Sequence, residues 1–359
     1  YSQYFNSFFL FVCLQQQRME SYIEDKKNLY TTILKFLEES DEDNDEESKK
    51  ETIQEIIKDQ QIEGDVEEMR QFLEIVKSIG EHHHRDQQFN ERMNQLLMQY
   101  KDQIKQTLSN SEIFHIFENN KKIVLFLIKK DIITISEEIY EEIVNKVENN
   151  GNRYWHFFIP ELENFVGEEK MKFVKNELLK KDSSFLTNYE EKRERGENES
   201  HICSLIRQDS IEDFIIYLTS QNISPSSEIL PSVFETNPFL IDNKNTTLIE
   251  YSAFFGSIQI FRYLLMSEAE LTPSLWLYAI HSKNAELIRL LESTKVPPPK
   301  FHMKEKEEEE EEEEEEKSIN NYEECFIESI KCHHNDIADY IENNFIDQNK
   351  KDSEQEEEI

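Results

Sequence analysis

The apolar residues in the first half of the chain recur at the spacing of an α-helix. Between residues 51 and 198 they fall three and four positions apart, which places them on one face of each helix. Gly64 and Gly80 lie between these stripes and are predicted to break the helices. We therefore predict a helical domain over residues 51–198. The stripes consist of Ile53, Ile56 and Ile57, then Met69, Phe72, Leu73, Ile75, Val76 and Ile79, and then Phe89, Met93, Leu96, Leu97, Tyr100, Ile104 and Leu108.

Three short segments interrupt this helical pattern. Residues 132–135 are apolar and would also suit a strand, but the helices around them favour a buried turn. Residues 154–160 (YWHFFIP) are predicted to plug the core, with an aromatic surface patch for a partner as the alternative. Residues 190–198 are charged and contain a glycine, and they are predicted to separate the two halves of the chain.

Residues 247–265 (TLIEYSAFFGSIQIFRYLL) predict two short helices joined by a tight turn. Thr247 offers a hydroxyl at the start of the first helix, and Gly256 ends that helix without a Cβ penalty. Small residues at Ser252 and Ala253 allow the first helix to pack closely on a neighbour. The second helix presents one apolar face, formed by Ile260, Phe261, Leu264 and Leu265.

Related patterns occur elsewhere in the chain. Residues 274–291 align 27 positions after this segment, and residues 202–218 align 47 positions before it. Residues 325–341 align 50 positions after residues 274–291. A weaker copy is predicted at residues 113–128. The alternative is a set of unrelated amphipathic helix pairs. Repeats of about 33 residues that form helix pairs are typical of ankyrin proteins, in which insertions occur in the connecting loops.

The segments ETNPFLID, TLIEYSAFFGSIQIFRYLL, SLWLYAIHSKNAELIRLLE and IKCHHNDIADYIENN together resemble the expanded ankyrin-repeat family of flagellate protists. The resemblance covers roughly residues 19–344. Ser252 departs from it, since a second alanine is usual there, and so does the glutamate run before the last copy. The resemblance implies an all-α fold, in which a helical N-terminal region is followed by an ankyrin-repeat-like α-solenoid over residues 199–345. It implies protein–protein interaction and assigns no biochemical activity.

A groove for a protein partner is expected where the first helix of each copy ends. In an ankyrin-type repeat the two residues before the turn residue point toward the concave face, and aromatic residues there would anchor a partner. The alternative for Phe254 and Phe255 is that one of them packs in the core. The predicted groove residues are Phe254, Phe255, His281, Ser282, Arg207, Gln208 and Lys331, with Cys332 next to the last of them.

The charge of the chain limits its partners. The formal net charge is −36, with 37% hydrophobic and 32% charged residues. Nucleic acids and anionic lipid surfaces both require a basic footprint, so neither is expected as a partner. A basic protein is the favoured class of partner, and the cytoplasm is the expected location because the four cysteines suggest no disulfide framework.

Low-complexity segments divide the chain further. We predict an acidic linker at residues 41–50, an acidic insert in the repeats at residues 304–317 and an acidic tail at residues 346–359. All three are predicted to stay solvated. The alternative role of the acidic blocks is to dock a basic partner. Residues 19–40 predict an amphipathic helix. Residues 1–18 are interpreted as translated from upstream of a natural start at Met19, with a hydrophobic anchor as the alternative.

Catalytic signatures are missing from the sequence, which has only six glycines and none of the phosphate-loop, zinc-protease or nucleophile-elbow motifs. His82, His83 and His84 were considered as metal ligands, but neighbouring helix positions point in different directions. Cys325 and the run Cys332, His333 and His334 offer donors that zinc accepts, yet the two histidines fall on a predicted turn. We expect no enzyme activity, no cofactor and no metal site.

Two functions fit this sequence. The first is a protein-binding module or scaffold that uses the concave groove of the repeats. The alternative is a regulatory or adaptor protein in which the N-terminal helical region binds the partner and the repeats are structural.

Overall fold

The computed structural model describes residues 26–37, 64–82, 87–149, 151–181, 183–299 and 322–346. Within these ranges the chain is all-α, as predicted, and its only extended pairings are two isolated bridges, Val147 with Arg153 and Glu228 with Thr247. The predicted leader, acidic linker, acidic insert and acidic tail lie outside the described residues.

The described residues form two compact units. The first takes those up to Asn145 together with Phe158–Glu177, and the second takes Lys146–Phe157 and those from Leu178 onward. The chain therefore leaves the first unit after residue 145, returns to it at residue 158 and leaves it again after residue 177, inside a helix. The units do not divide at residue 198, where the sequence analysis predicted the boundary.

The first unit is built from helices that bury most of the predicted apolar residues between Met69 and Leu108, together with apolar residues of the later helices. The predicted stripe of Ile53, Ile56 and Ile57 lies outside the described residues. Helix α5 packs against α2, α6 and α7, and α2 also packs against α3 and α4. The buried turn predicted at residues 132–135 is confirmed, since Ile132 and Ile133 are 0% and 1% exposed. The helices are α1 (residues 26–37), α2 (Val66–His82), α3 (Gln87–Gln99), α4 (Lys101–Thr107), α5 (Asn110–Phe117), α6 (Lys121–Lys129), α7 (Glu137–Asn145), α8 (Ile159–Val166) and α9 (Glu168–Lys181).

Gly80 lies inside α2, so the predicted helix break at this residue is wrong. The position is buried, and a Cβ atom there would lie 2.7 Å from Sδ of Met93 on α3. The glycine therefore permits close packing of two helices. Gly64 precedes α2 with a φ of +92°, as a breaker should.

The second unit contains the predicted copies as helix pairs. Copy 1 is α11–α12, copy 2 is α14–α15, copy 3 is α16–α17 and copy 4 is α18–α19, while α13 lies in the long connection between copies 1 and 2. The helices are α10 (Tyr189–Arg195), α11 (His201–Arg207), α12 (Ile211–Ser220), α13 (Pro238–Asp242), α14 (Leu248–Phe255), α15 (Ile258–Met266), α16 (Leu275–His281), α17 (Ala285–Ser293), α18 (Glu323–Lys331) and α19 (Asn335–Ile341), with a 3₁₀ turn at Tyr154–Phe157 and a π turn at Glu342–Ile346.

The four copies share one turn conformation between their two helices. Asp209, Gly256, Lys283 and His333 have φ values of 49°, 68°, 54° and 57°, in the left-handed region that usually favours glycine. These positions are the ones that the sequence alignment makes equivalent. A common backbone turn therefore accompanies the weak sequence similarity of the copies.

The helices of successive copies pack in chain order. Helix α14 lies between α11 and α16, α16 contacts α18, and α12 contacts α15. Because α14 has a neighbour on both sides, its residues from Leu248 to Phe254 are all buried. The small residues Ser252 and Ala253, both 0% exposed, allow this close packing.

Side chains of one copy bind the backbone of the copy before it. The hydroxyl of Ser257 donates to the carbonyl of Ile206 at 2.5 Å. Two copies later, Nδ1 of His334 donates to the carbonyl of Ile280 at 2.8 Å. In the opposite direction, the carboxylate of Asp209 accepts from two amides at the start of α15, at 3.0 and 3.1 Å.

The residues predicted to separate the two halves form α10 instead. The side chain of Arg193 is 0% exposed and lies between the rings of Phe157 and Tyr189, at 5.3 and 5.4 Å from their centroids. The hydroxyl of Tyr189 donates to the carbonyl of His156 at 2.5 Å. Of the predicted segment 154–160, Tyr154 and Phe157 are buried in the second unit and Phe158 and Ile159 in the first, so the prediction that the segment packs in the core is confirmed at these four residues.

Candidate functional site

The predicted groove residues do not form one exposed surface. Phe254 is 0% exposed and His281 is 8% exposed, so the prediction that both point into an open groove is wrong. The alternative that one phenylalanine of the pair packs in the core is confirmed for Phe254. Phe255 and Ser282 are half-buried, and Gln208 and Lys331 are exposed.

A segment of the chain itself covers Phe254 and His281. Phe239, on α13, stacks on Phe254 with a centroid separation of 5.6 Å and an interplanar angle of 7°. Its ring also lies 4.1 Å from the ring of His281. The connection between copies 1 and 2 therefore occupies the place where the sequence predicted an open aromatic anchor.

Arg207 is held by the repeats and does not project into solvent. Its Nη1 donates to the Tyr251 hydroxyl at 2.8 Å and to the Asn198 carbonyl at 2.9 Å. Its Nε lies 3.0 Å from the Glu197 carboxylate. These contacts assign Arg207 a structural role that joins copy 1 to copy 2.

A cluster of His281, Glu328 and Cys332 lies between copies 3 and 4 and was missed by the sequence analysis. Helix α16 ends at His281, and α18 supplies Glu328 and ends just before Cys332. The Nε2 atom of His281 donates to Oε1 of Glu328 at 2.8 Å. The sulfur of Cys332 lies 3.6 Å from Nδ1 and 3.8 Å from Nε2 of the same ring. The sequence separations of 47 and 51 residues explain why no local pattern revealed it.

The charge at this cluster is balanced by its neighbours. Burial would raise the pKa of Glu328, but the hydrogen bond from His281, the charge of that ring and the nearby Lys331 outweigh it and lower the pKa to about 2. Lys331 Nζ lies 3.1 Å from Oε2. Glu328 is therefore ionised at neutral pH, inside a site that is closed on one side by Phe239 and Phe254.

The two groups of possible metal ligands in the sequence have different outcomes, and the first is not tested because part of it is outside the described residues. His82 ends α2 and its Nδ1 donates to the Ser78 carbonyl at 2.7 Å, whereas His83 and His84 lie outside the described residues. Cys325 is buried at the start of α18, and burial raises the pKa of its thiol. Cys332 does join a group of metal-binding side chains, but with His281 and Glu328 and not with Cys325, His333 and His334.

Two other features lie among the described residues. A cavity of about 120 Å³ lies beside the connection between copies 1 and 2, with Tyr251, Glu235 and Asn198 among its lining residues. In the first unit, His115 lies 3.3 Å from the carboxylates of both Glu118 and Glu142. Because the two carboxylates contact different ring nitrogens, this geometry suits two hydrogen bonds better than a shared metal ion.

Comparison of the chain with protein-family models, with curated proteins and with solved structures finds no match. The function must therefore be argued from the residues themselves. In the part of the chain that the structure describes, no helix has both the length and the apolar character needed to cross a bilayer.

Proposed function

We propose that the second unit is an ankyrin-repeat-like α-solenoid that binds another protein and has no catalytic role. The observation that supports this most directly is the equivalent left-handed turn in each of four copies, whose first helices pack in chain order. Stacked helix pairs of this kind form extended surfaces that serve as protein-binding sites. We expect a basic partner, because the chain carries a net charge of −36. The cytoplasm is the proposed location, because the cysteines suggest no disulfide framework.

The size of the cavity in the second unit favours a protein partner over a small molecule. Its volume is about 120 Å³. Pockets that bind drug-sized ligands are typically about 300–1,000 Å³. We expect a protein partner to contact exposed side chains at the ends of the first helices, such as Gln208 and Lys331.

Site-specific cross-linking in the native cells tests this proposal. A photo-reactive amino acid at Gln208 or Lys331, both exposed beside the turns, should capture one protein in common. Matched controls at Ile216 and Met266, which are 66% and 77% exposed on second helices, should not capture it. Capture only from Met98 of the first unit would favour the adaptor alternative, and equal capture at all positions would contradict both.

A further inference from the structure

The buried cluster between copies 3 and 4 contains three different metal-binding groups. His281, Glu328 and Cys332 each place one ligand atom within 4.8 Å of the others, and all three residues are buried. Imidazole, carboxylate and thiolate are the donors that zinc takes from proteins. Cys332 lies beside both a carboxylate and an imidazole, whereas the other buried cysteines of the described residues, Cys203 and Cys325, belong to no such group.

We propose that His281, Glu328 and Cys332 bind a zinc ion that fastens copy 4 to copy 3. In a tetrahedral site with bonds of about 2.0–2.3 Å, neighbouring ligand atoms lie about 3.3–3.8 Å apart. The distance of 3.8 Å between Nε2 and the sulfur fits this range, and the 2.8 Å between Nε2 and Oε1 must open by about half an ångström. Because the sulfur is also 3.6 Å from Nδ1, the ring must turn about its Cβ–Cγ bond to direct Nε2 at the ion.

Charge and surroundings support the same assignment. The ion displaces the thiol proton of Cys332 and the Nε2 proton of His281, and both protons go to solvent. A dication, a thiolate and a carboxylate then form a neutral group, which suits a buried position. Lys331 holds the second oxygen of Glu328 at 3.1 Å and so leaves Oε1 for the metal.

The site would act on stability and not on chemistry. Its ligands come from α16 and α18, which are joined through a long connection that includes the acidic insert. Zinc at about one hundred times its dissociation constant should shift the folding equilibrium about a hundredfold toward the folded state. This inference does not depend on the proposed protein-binding function.

Cobalt substitution of the full chain tests the site. After treatment with a chelator, one equivalent of Co²⁺ should produce a thiolate-to-cobalt charge-transfer band in the near ultraviolet, and the visible bands of a tetrahedral ion. Cys332→Ser should abolish the charge-transfer band. Cys203→Ser and Cys325→Ser are matched controls, since each removes a buried thiol outside the cluster, and both should retain it.

Glu328→Gln keeps the shape of the side chain and should weaken zinc binding by about 10–100-fold or more, since even outer-shell partners contribute that much. This variant decides the question if Cys332→Ser fails to fold. The proposal is overturned if the wild-type chain shows no band at stoichiometric cobalt, if Cys332→Ser keeps the band, or if Glu328→Gln binds zinc as tightly as the wild type.

Discussion

The helix pairs α5–α6 and α14–α15 begin with the same local device but differ in their neighbours. In each, a hydroxyl caps the first helix, and the carboxylate of a glutamate three residues later accepts a hydrogen bond from the backbone amide of the capping residue. These pairs are Ser109 with Glu112 at α5, and Thr247 with Glu250 at α14. Glu112 remains 37% exposed and pairs with Arg70 of α2. Glu250 is buried and accepts two further hydrogen bonds from the start of the next copy. The capping residues alone are therefore enough to begin a helix. Where another copy follows, the glutamate of the cap also links the two copies through hydrogen bonds.

The largest expected effect comes from removing the segments that pack against the connection between copies 1 and 2. A fragment of residues 199–346 lacks α10 and the aromatic segment 154–157, so the contacts of Phe234 with Phe185 and Tyr189 are lost. We expect it to lose about 3–5 kcal/mol of stability relative to residues 146–346, as for deletion of a large buried side chain. Urea unfolding followed by circular dichroism measures this, and equal midpoints would show that the four copies are stable without these segments.

A second prediction compares the cores of the two units. Phe254→Ala and Phe114→Ala each remove a fully buried ring and should each cost about 3–5 kcal/mol. Both tryptophans, Trp155 and Trp276, belong to the second unit. If the units unfold separately, Phe254→Ala shifts the unfolding midpoint measured by fluorescence. Phe114→Ala then leaves the fluorescence midpoint unchanged and shifts only the midpoint measured by circular dichroism. A fluorescence shift caused by Phe114→Ala would show that the units unfold together.

A smaller effect distinguishes two glycines with nearly the same backbone. Gly196 and Gly256 have φ of 69° and 68°, but a Cβ atom on Gly196 would lie 2.6 Å from Oγ1 of Thr236. At Gly256 the nearest atom, Cβ of Ser282, would be 3.5 Å away. Gly256→Ala should therefore cost about 1 kcal/mol from φ alone, and Gly196→Ala about 2–4 kcal/mol because of the added clash. Equal costs in thermal melts would show that Thr236 moves freely.

The smallest effect concerns acid unfolding of the first unit. Hydrogen bonds from Ser109, together with Arg70, lower the pKa of Glu112 below its usual 4.5. A carboxyl with a depressed folded pKa stabilises the protein above its unfolded pKa, and that contribution is lost as the pH falls below about 4.5. Glu112→Gln should make the free energy of unfolding fall less steeply as the pH is lowered below about 4.5. Unfolding followed by circular dichroism at several pH values measures this. An unchanged slope would show that the pair with Arg70 has no net effect at the surface.

The sequence predicted the features that depend on neighbouring residues. Thr247 and Gly256 begin and end α14 as expected, because caps and turns are decided within a few positions. The sequence-based predictions were wrong where contacts between residues distant in the chain determine the structure. Gly80 resembles a helix breaker until Met93 is known to pack against it, and Phe254 looks exposed until Phe239 covers it.

The candidate metal cluster could not be predicted from the sequence for the same reason. His281 and Cys332 were both noted, but as members of a groove and of a local cysteine–histidine run. Only the packing of α16 on α18 brings them together with Glu328. The alignment of the copies contained the only hint in the sequence. It makes His281 equivalent to Lys331, the neighbour of Cys332, and equivalent positions of adjacent copies lie close together when the copies pack.

The bonds from Ser257 and His334 to the backbone of the preceding copy have a consequence for how such chains diverge. A carbonyl oxygen is supplied by any residue, so the donor side chain places little demand on the identity of the amino acid that it reaches. Each copy can then accumulate substitutions without a matching change in its neighbour. Such tolerance accounts for copies that share a turn geometry while retaining few residues in common, and it lets an exposed face drift toward new partners while the joints persist.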